Sequence, residues 1–111
     1  MKAFALTGLL TTIAMTLPTV ALAAVDEDGA TALLKSSGCG ACHAVDKAKM
    51  GPSFHDVAAK LKGKADAADT LYKHVTSGPM VKIGTKEQKH PVVKSTDEAA
   101  IKNMVAYILS R

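Results

Sequence analysis

The chain has 111 residues, a length that favours one domain rather than several. Its formal net charge is +4, but it lacks the basic stripe with interleaved aromatic residues that would predict a nucleic-acid partner. Two tyrosines, two phenylalanines and no tryptophan predict a thin hydrophobic core, so we expect a bound apolar group to complete that core.

The first 23 residues have the pattern of a cleaved Sec signal peptide. Lys2 supplies the positive start, residues 3–17 are uncharged and mostly apolar, and Ala-Leu-Ala at 21–23 is a small-residue cleavage site. Cleavage there would leave residues 24–111 as the mature domain and export it to the periplasm. The alternative is an uncleaved anchor, and only in that case do we expect membrane association.

A short first helix is predicted at the start of the mature domain. Acidic residues at 26–28 favour a helix N-terminus, and Ala30, Leu33 and Leu34 recur with the spacing of one buried helix face. Gly38 ends this helix, because glycine readily adopts the left-handed conformation found at helix C-termini.

The next five residues, Cys39-Gly40-Ala41-Cys42-His43, form the C-x-x-C-H motif that attaches a c-type haem. Each cysteine sulfur forms a thioether bond to the porphyrin, and the histidine is the proximal iron ligand. A thioredoxin-like pair would need βαβ surroundings, and a zinc site would need a second ligand pair, whereas the chain has no third cysteine. The motif therefore predicts one covalently bound haem c with its iron.

Two middle helices and a long loop are predicted after the motif. Pro52 is typical of a helix start and precedes a short predicted helix over 53–59. A third helix is predicted over 66–76, where apolar residues recur on one side before a Ser-Gly-Pro stop. Residues 79–95 show no convincing periodicity, so we expect a structureless loop that crosses the far face of the haem.

The last predicted helix has the strongest pattern. Ser95 and Glu98 form a capping box, with Ser95 as the N-cap. Five apolar residues then follow at the spacing of one helix face. They are Ile101, Met104, Val105, Ile108 and Leu109.

This order of features resembles that of a small bacterial class I cytochrome c across essentially the whole mature chain. The shared features are a short first helix, the C-x-x-C-H motif, Gly51-Pro52, two middle helices, a long distal loop and a capped last helix. The resemblance implies an all-α fold in which three to four short helices wrap around one covalently bound haem c.

The resemblance also implies two specific contacts. The Pro52 carbonyl would accept a hydrogen bond from the second ring nitrogen of His43, which would orient the ring and strengthen it as a ligand. The first and last helices would cross tightly near the haem edge, with Gly29 or Ala30 at the close approach and Tyr107 packed beside it.

The distal iron ligand is where the chain departs from this family, which usually places Met-Pro in the distal loop. The candidates are Met80, in Gly-Pro-Met, and His90, in Lys-His-Pro, and either segment is long enough to reach. Met80 follows the third helix almost directly, whereas His90 lies mid-loop, near the position of the family's methionine. We therefore expect His90 as the distal ligand, with Met80 as the alternative. A methionine would give the higher reduction potential.

Four other residues could bind iron by their chemistry but are not favoured as ligands. Met50 is expected to pack within its loop, and Met104 belongs to the apolar face of the last helix. His55 and His74 are expected to be surface histidines.

These features favour single-electron transfer between periplasmic redox partners over enzymatic catalysis, because two protein ligands would close the iron to substrates. Six lysines flank the motif and occupy the distal loop, where they would attract acidic partners, although ordinary solvated lysines would look the same. The alternative is a small-ligand (gas) sensor with a displaceable distal residue, and an accessory subunit of a larger oxidoreductase is also open. The lysines are Lys47, Lys49, Lys82, Lys86, Lys89 and Lys94.

Overall fold

The computed structural model describes residues 24–111, and the predicted signal peptide lies outside these residues. The helices are α1 (Glu27–Ser36), α2 (Phe54–Leu61), α3 (Ala67–Ser77) and α4 (Glu98–Leu109), with a short 3₁₀ helix at Cys39–Ala41. Two strands, β1 (Met80–Ile83) and β2 (Lys86–Lys89), form a small antiparallel sheet between α3 and α4. None of the helices within the described range is long and apolar enough to cross a bilayer.

Polar side chains cap the starts of three helices. Asp26 caps α1 and Ser53 caps α2, and each side chain accepts a hydrogen bond from the amide three residues later. The cap of α4 is Asp97, so the prediction of Ser95 is wrong by two residues. The Asp97 carboxylate accepts two amide hydrogen bonds, at 3.0 and 3.2 Å, whereas the Ser95 hydroxyl accepts the amide of Asp97 itself. One carboxylate that reaches two free amides is the stronger cap.

Helix α4 is the central element, because α1, α2 and α3 all pack against it. On α1, Ala30 is fully buried while Gly29 is exposed, so the predicted close approach occurs at Ala30. A methyl side chain allows the two helix backbones to lie close together. The buried side chains of α4 are Ile101, Met104, Val105, Tyr107 and Ile108.

The start of α1 is joined to the middle of α4 by a pair of reciprocal hydrogen bonds. The amide of Asp26 donates to Oδ1 of Asn103 at 2.9 Å, and Nδ2 of Asn103 donates to the carbonyl of Asp26 at 2.7 Å. Arg111 adds an ion pair with Glu27 at 2.8 Å and lies over the ring of Tyr107, 4.2 Å from its centre. The first and last parts of the described range are therefore held together by polar contacts as well as by the core.

The segment after α3 is a β-hairpin, so the prediction of a structureless loop is wrong for residues 80–89. Met80 pairs with Lys89 and Ile83 with Lys86, which leaves a two-residue turn that begins at Gly84. Gly84 has a φ of 62°, as the first turn position of a type II′ hairpin requires. The sequence shows no strand pattern here because β2 is polar and exposed along its length, so no apolar alternation marks it.

Replacing Asn103 by alanine should lower the free energy of unfolding of the haem-loaded protein by about 1–2 kcal/mol, because both reciprocal hydrogen bonds to Asp26 are lost. Urea unfolding followed by circular dichroism measures this. Lys102→Ala is the matched control, since it removes only an exposed ion pair with Glu98 on the same helix. Equal losses in the two variants would show that the Asn103 contacts contribute nothing specific.

Candidate functional site

The motif cysteines lie at the end of α1, where the chain turns sharply. Gly38 has a φ of 74°, and the 3₁₀ helix that follows places the amide of His43 3.0 Å from the carbonyl of Cys39. Cys39 and Cys42 form no disulfide, and each is half-buried. Burial raises the pKa of the Cys39 thiol, and Cys42 raises it further, which favours the protonated form at neutral pH.

The His43 ring is held by the segment that contains Gly51 and Pro52. The carbonyl oxygen of Pro52 lies 2.6 Å from Nδ1 of His43. A carbonyl oxygen only accepts hydrogen bonds, so Nδ1 carries the proton and Nε2 keeps its lone pair for a metal. The amide of Gly51 donates to the carbonyl of Cys42 at 2.8 Å, which joins this segment to the motif.

Gly51 must be glycine for the His43 ring to fit. A Cβ atom built at Gly51 would lie 2.5 Å from Cε1 and 2.9 Å from Nδ1 of the ring, and both distances are shorter than real contacts. The ring is also stacked on Phe54, with ring centres 5.5 Å apart and planes 22° apart. The Gly-Pro pair therefore supplies both the close approach and the hydrogen-bond acceptor.

Lys49 is exposed, but hydrogen bonds tie it to the motif segment. Its Nζ donates to the carbonyl of Gly40, and its amide donates to the carbonyl of Gly51 at 3.0 Å. The loop between His43 and Gly51 thus folds back over the motif. Of the two lysines in this loop, Lys47 is the one without such a bond to the motif.

The structure brings the ring of His90 opposite that of His43. The ring centres are 6.1 Å apart, and the planes are inclined by 43°. Nδ1 of His90 lies 2.7 Å from the carbonyl oxygen of Pro91, so it is protonated for the same reason as Nδ1 of His43. In both rings, Nε2 therefore keeps a lone pair that can bind a metal ion. Met80, in contrast, lies on β1 and is 63% exposed.

Three hydrogen bonds order the segment that carries His90. Its own amide donates to the carbonyl of Pro79 at 2.8 Å, and the amide of Val93 donates to the carbonyl of Val75 at 2.9 Å. The amide of Lys94 donates to Oγ of Ser37 at 3.0 Å. The distal segment is therefore held by α3, by the hairpin neck and by the end of α1.

Ser37 is a site residue that the sequence reasoning missed. It is buried, it ends α1 two residues before Cys39, and its hydroxyl holds the distal segment. A single serine near a helix end has no distinctive pattern, so only its long-range partner reveals the role.

Residues 27–111 match the family model for cytochrome c, which is more than three-quarters of the chain. The chain belongs to the cytochrome c family. Cytochrome c-551 of Pseudomonas aeruginosa is 36% identical over 111 residues, covering 100% of this chain and 99% of the relative. Cytochrome c-551 of Stutzerimonas stutzeri is 49% identical over 55 residues, but that match covers 50% of this chain and spans only about half, 52%, of the relative.

Among solved structures, the class 1 cytochrome MtoD from Sideroxydans lithotrophicus has a TM-score of 0.74 and 48% sequence identity. The match covers 78% of this chain and 97% of that chain. The protein is therefore a small class I c-type cytochrome with one covalently attached haem c. The predicted fold class and cofactor are confirmed.

The residues of this cytochrome fit such a haem. Two imidazoles that bind one metal ion from opposite sides, each with a nitrogen about 2 Å away, have ring centres about 6 Å apart. The distance observed between the His43 and His90 rings is 6.1 Å. Cys39 lies one turn before His43 and Cys42 lies directly before it, as the motif requires, and neither is in a disulfide.

A third imidazole, that of His74, also lies at the site. Its ring centre is 4.5 Å from that of His90, and the ring is half-buried, so the prediction of a surface histidine is wrong. Burial lowers the pKa of His74, and the neighbouring His90 and His43 lower it further. The error arose because helical spacing indicates the face of α3 on which His74 lies but not the loop that packs against that face.

Of the three remaining candidates, two have the burial that the sequence predicts. His55 is exposed, and Met104 is fully buried in α4, both as predicted. Met50 is 57% exposed, so the prediction that it packs within its loop is wrong.

Replacing Gly51 by alanine should destabilise the haem-loaded protein by about 1–3 kcal/mol, because the new methyl group overlaps the His43 ring. Denaturation followed through haem absorbance should detect a change at the proximal ligand as well as lower stability. Gly63→Ala is the control, since it strains a φ of 78° but meets nothing within 4 Å. A Gly51→Ala protein with an unaltered haem spectrum and wild-type stability would contradict the close packing.

Proposed function

We propose that this cytochrome carries single electrons between periplasmic redox partners, with Cys39 and Cys42 bound to the haem and His43 and His90 as axial ligands. The observation that carries the proposal is the pair of facing imidazoles, 6.1 Å apart, each with Nδ1 at a backbone carbonyl and Nε2 free. The Pro52 carbonyl orients the proximal ring, and the Pro91 carbonyl keeps the proton of the His90 ring on Nδ1.

Electron transfer fits this ligand pair better than substrate chemistry does. The bound haem would supply one-electron redox chemistry, and a histidine on each side would leave no coordination position for a substrate. Three hydrogen bonds hold the segment of His90 in place, which favours the same ligand in both oxidation states. A second imidazole in place of a thioether would give the lower reduction potential.

Periplasmic location is part of the proposal and is supported by the sequence. The pattern of residues 1–23 is that of a cleaved signal, with the cut after Ala23. Val25, which packs against the core, and Asp26, which pairs with Asn103, both follow that cut. A mature chain that begins at Ala24 would therefore keep every contact described above.

Acidic docking surfaces are proposed for the redox partners. The hairpin lysines, which are Lys82, Lys86 and Lys89, are all exposed on the sheet that leads directly to His90. Glu87 pairs with Lys82 across the strands and is the one acidic residue of the hairpin. The resulting positive field beside the distal ligand would steer acidic partners towards this side of the molecule.

The ligand assignment predicts how carbon monoxide binds to the ferrous, haem-loaded protein. Wild type and Met80→Ala should resist carbon monoxide, whereas His90→Ala should bind it rapidly and completely, because one coordination position is then open. Optical spectra after mixing measure this. Rapid, complete binding by wild type would instead support the gas-sensing alternative, because the distal ligand would then yield to a small molecule.

The ferric spectrum tests the same assignment independently. A bis-imidazole iron lacks the sulfur-to-iron charge-transfer band, so this band should be absent in wild type. If the band is present and Met80→Ala removes it, Met80 is the distal ligand and the proposed ligand pair is wrong.

The docking proposal predicts a charge effect that depends on position. Replacing the hairpin lysines together by glutamine should slow reduction by a small acidic flavodoxin at low salt by about tenfold, and the difference should shrink near 0.15 M salt. The control replaces Lys60, Lys62 and Lys64, which are exposed at the end of α2 and in the turn before α3. Equal slowing in both triple variants would mean that net charge, not the hairpin, determines the rate.

A further inference from the structure

We infer that His74 is a positioning residue that fixes the rotation of the His90 ring, and through it the angle between the two axial imidazoles. The inference rests on the proposed role of His90 as distal ligand. It adds a residue that neither the motif nor the family resemblance identifies, and one that touches no reacting atom itself.

The contact between the two rings is direct. The centres of His74 and His90 are 4.5 Å apart, and their planes are inclined by 65°, which is the edge-to-face arrangement that aromatic rings prefer. If His90 binds the iron, rotation of its ring about that bond would drive one of its edges into His74. The ring of His74 therefore restricts the rotation that coordination alone leaves free.

His74 also relates the His90 ring to the core. The hydrogen bond of that ring is with Pro91, the next residue, so it orients the ring only relative to its own segment. His74 instead lies on α3, where Leu71 and Val75 are buried in the hydrophobic core. A helix fixed by these two side chains gives the ring a stationary neighbour.

The backbone around the two rings is held equally closely. Gly78, with a φ of 61°, ends α3, and a Cβ atom built there would lie 2.8 Å from the carbonyl oxygen of His90. The amide of His90 donates to the carbonyl of Pro79 at 2.8 Å. The end of α3 thus sets the position of the His90 backbone, while His74, one turn earlier on the same helix, sets the orientation of its ring.

The consequence is a defined angle of 43° between the planes of His43 and His90. In a low-spin ferric haem, the relative orientation of two axial imidazole planes determines the spread of the electron paramagnetic resonance g-values. A ring held at one angle gives narrow lines, and a ring free to rotate gives a distribution of angles and broad lines. Ring orientation also affects the reduction potential.

The test compares three variants of the mature, haem-loaded protein. His74→Ala should shift and broaden the g-values and shift the reduction potential, while His74→Phe, which keeps an aromatic edge, should remain close to wild type. His55→Ala removes an exposed histidine from α2 and should change neither measurement. If His74→Ala does not yield folded protein, His74→Gln fills the half-buried site without a ring and should show the same shifts.

The outcomes separate this inference from the proposed function. Wild-type g-values and line widths in His74→Ala or His74→Gln would overturn the positioning role, even if His90→Ala loses the bis-imidazole spectrum. A bis-imidazole spectrum that survives in His90→Ala would instead overturn the ligand assignment. If His74→Phe changes the g-values and the reduction potential as much as His74→Ala does, the site requires the histidine for a reason other than ring contact.

Discussion

The hydrogen bond between Nδ1 of His43 and the carbonyl of Pro52 is the contact on which the rest of the site depends. At 2.6 Å it determines both which ring nitrogen is protonated and where the other one points. The bond is possible because Gly51 has no side chain to displace the ring. Neither the C-x-x-C-H motif nor the helices would orient this imidazole alone, since the motif specifies only that a histidine follows the second cysteine.

Ser37 connects this proximal arrangement to the distal one. It ends α1 immediately before the motif, and its hydroxyl accepts the amide of Lys94, which follows the distal segment. Because α1 itself is held against α4 through Ala30 and by the Asp26–Asn103 bonds, both sides of the site are related to one rigid pair of helices. A small domain with a thin core can in this way hold two histidines that are far apart in sequence.

Because residues 80–89 form a hairpin, the distal side of this cytochrome differs from the one that a structureless loop would form. Its strands bring residue 90 back beside Pro79, so the distal segment begins next to the end of α3 rather than far from it. That return explains why His74 can touch His90, and it also places the hairpin lysines beside His90, the proposed distal ligand. Structure and charge on this side of the molecule therefore have the same origin, the antiparallel pairing of residues 80–89.

The sequence by itself determined the class of protein, the cofactor and the helices. C-x-x-C-H has a fixed local geometry, and helix patterns such as that of α4 depend on neighbours three and four residues apart, so both are readable from one chain. Reasoning from local patterns was wrong at two places. At the start of α4, both Ser95 and Asp97 are suitable N-cap residues, and Asp97 is the cap in the structure. Strand β2 is polar and has no apolar alternation that would mark it as a strand.

Tertiary structure alone decided which side chains meet across the chain. The pairing of His90 with His43, the contact of His74 with His90 and the bond from Lys94 to Ser37 join residues 47, 16 and 57 positions apart. Such contacts depend on how helices and loops pack in three dimensions, and a packing arrangement leaves no periodic signal in the residues that take part in it. The sequence could therefore name His90 as a candidate, but only the fold could bring its ring opposite His43.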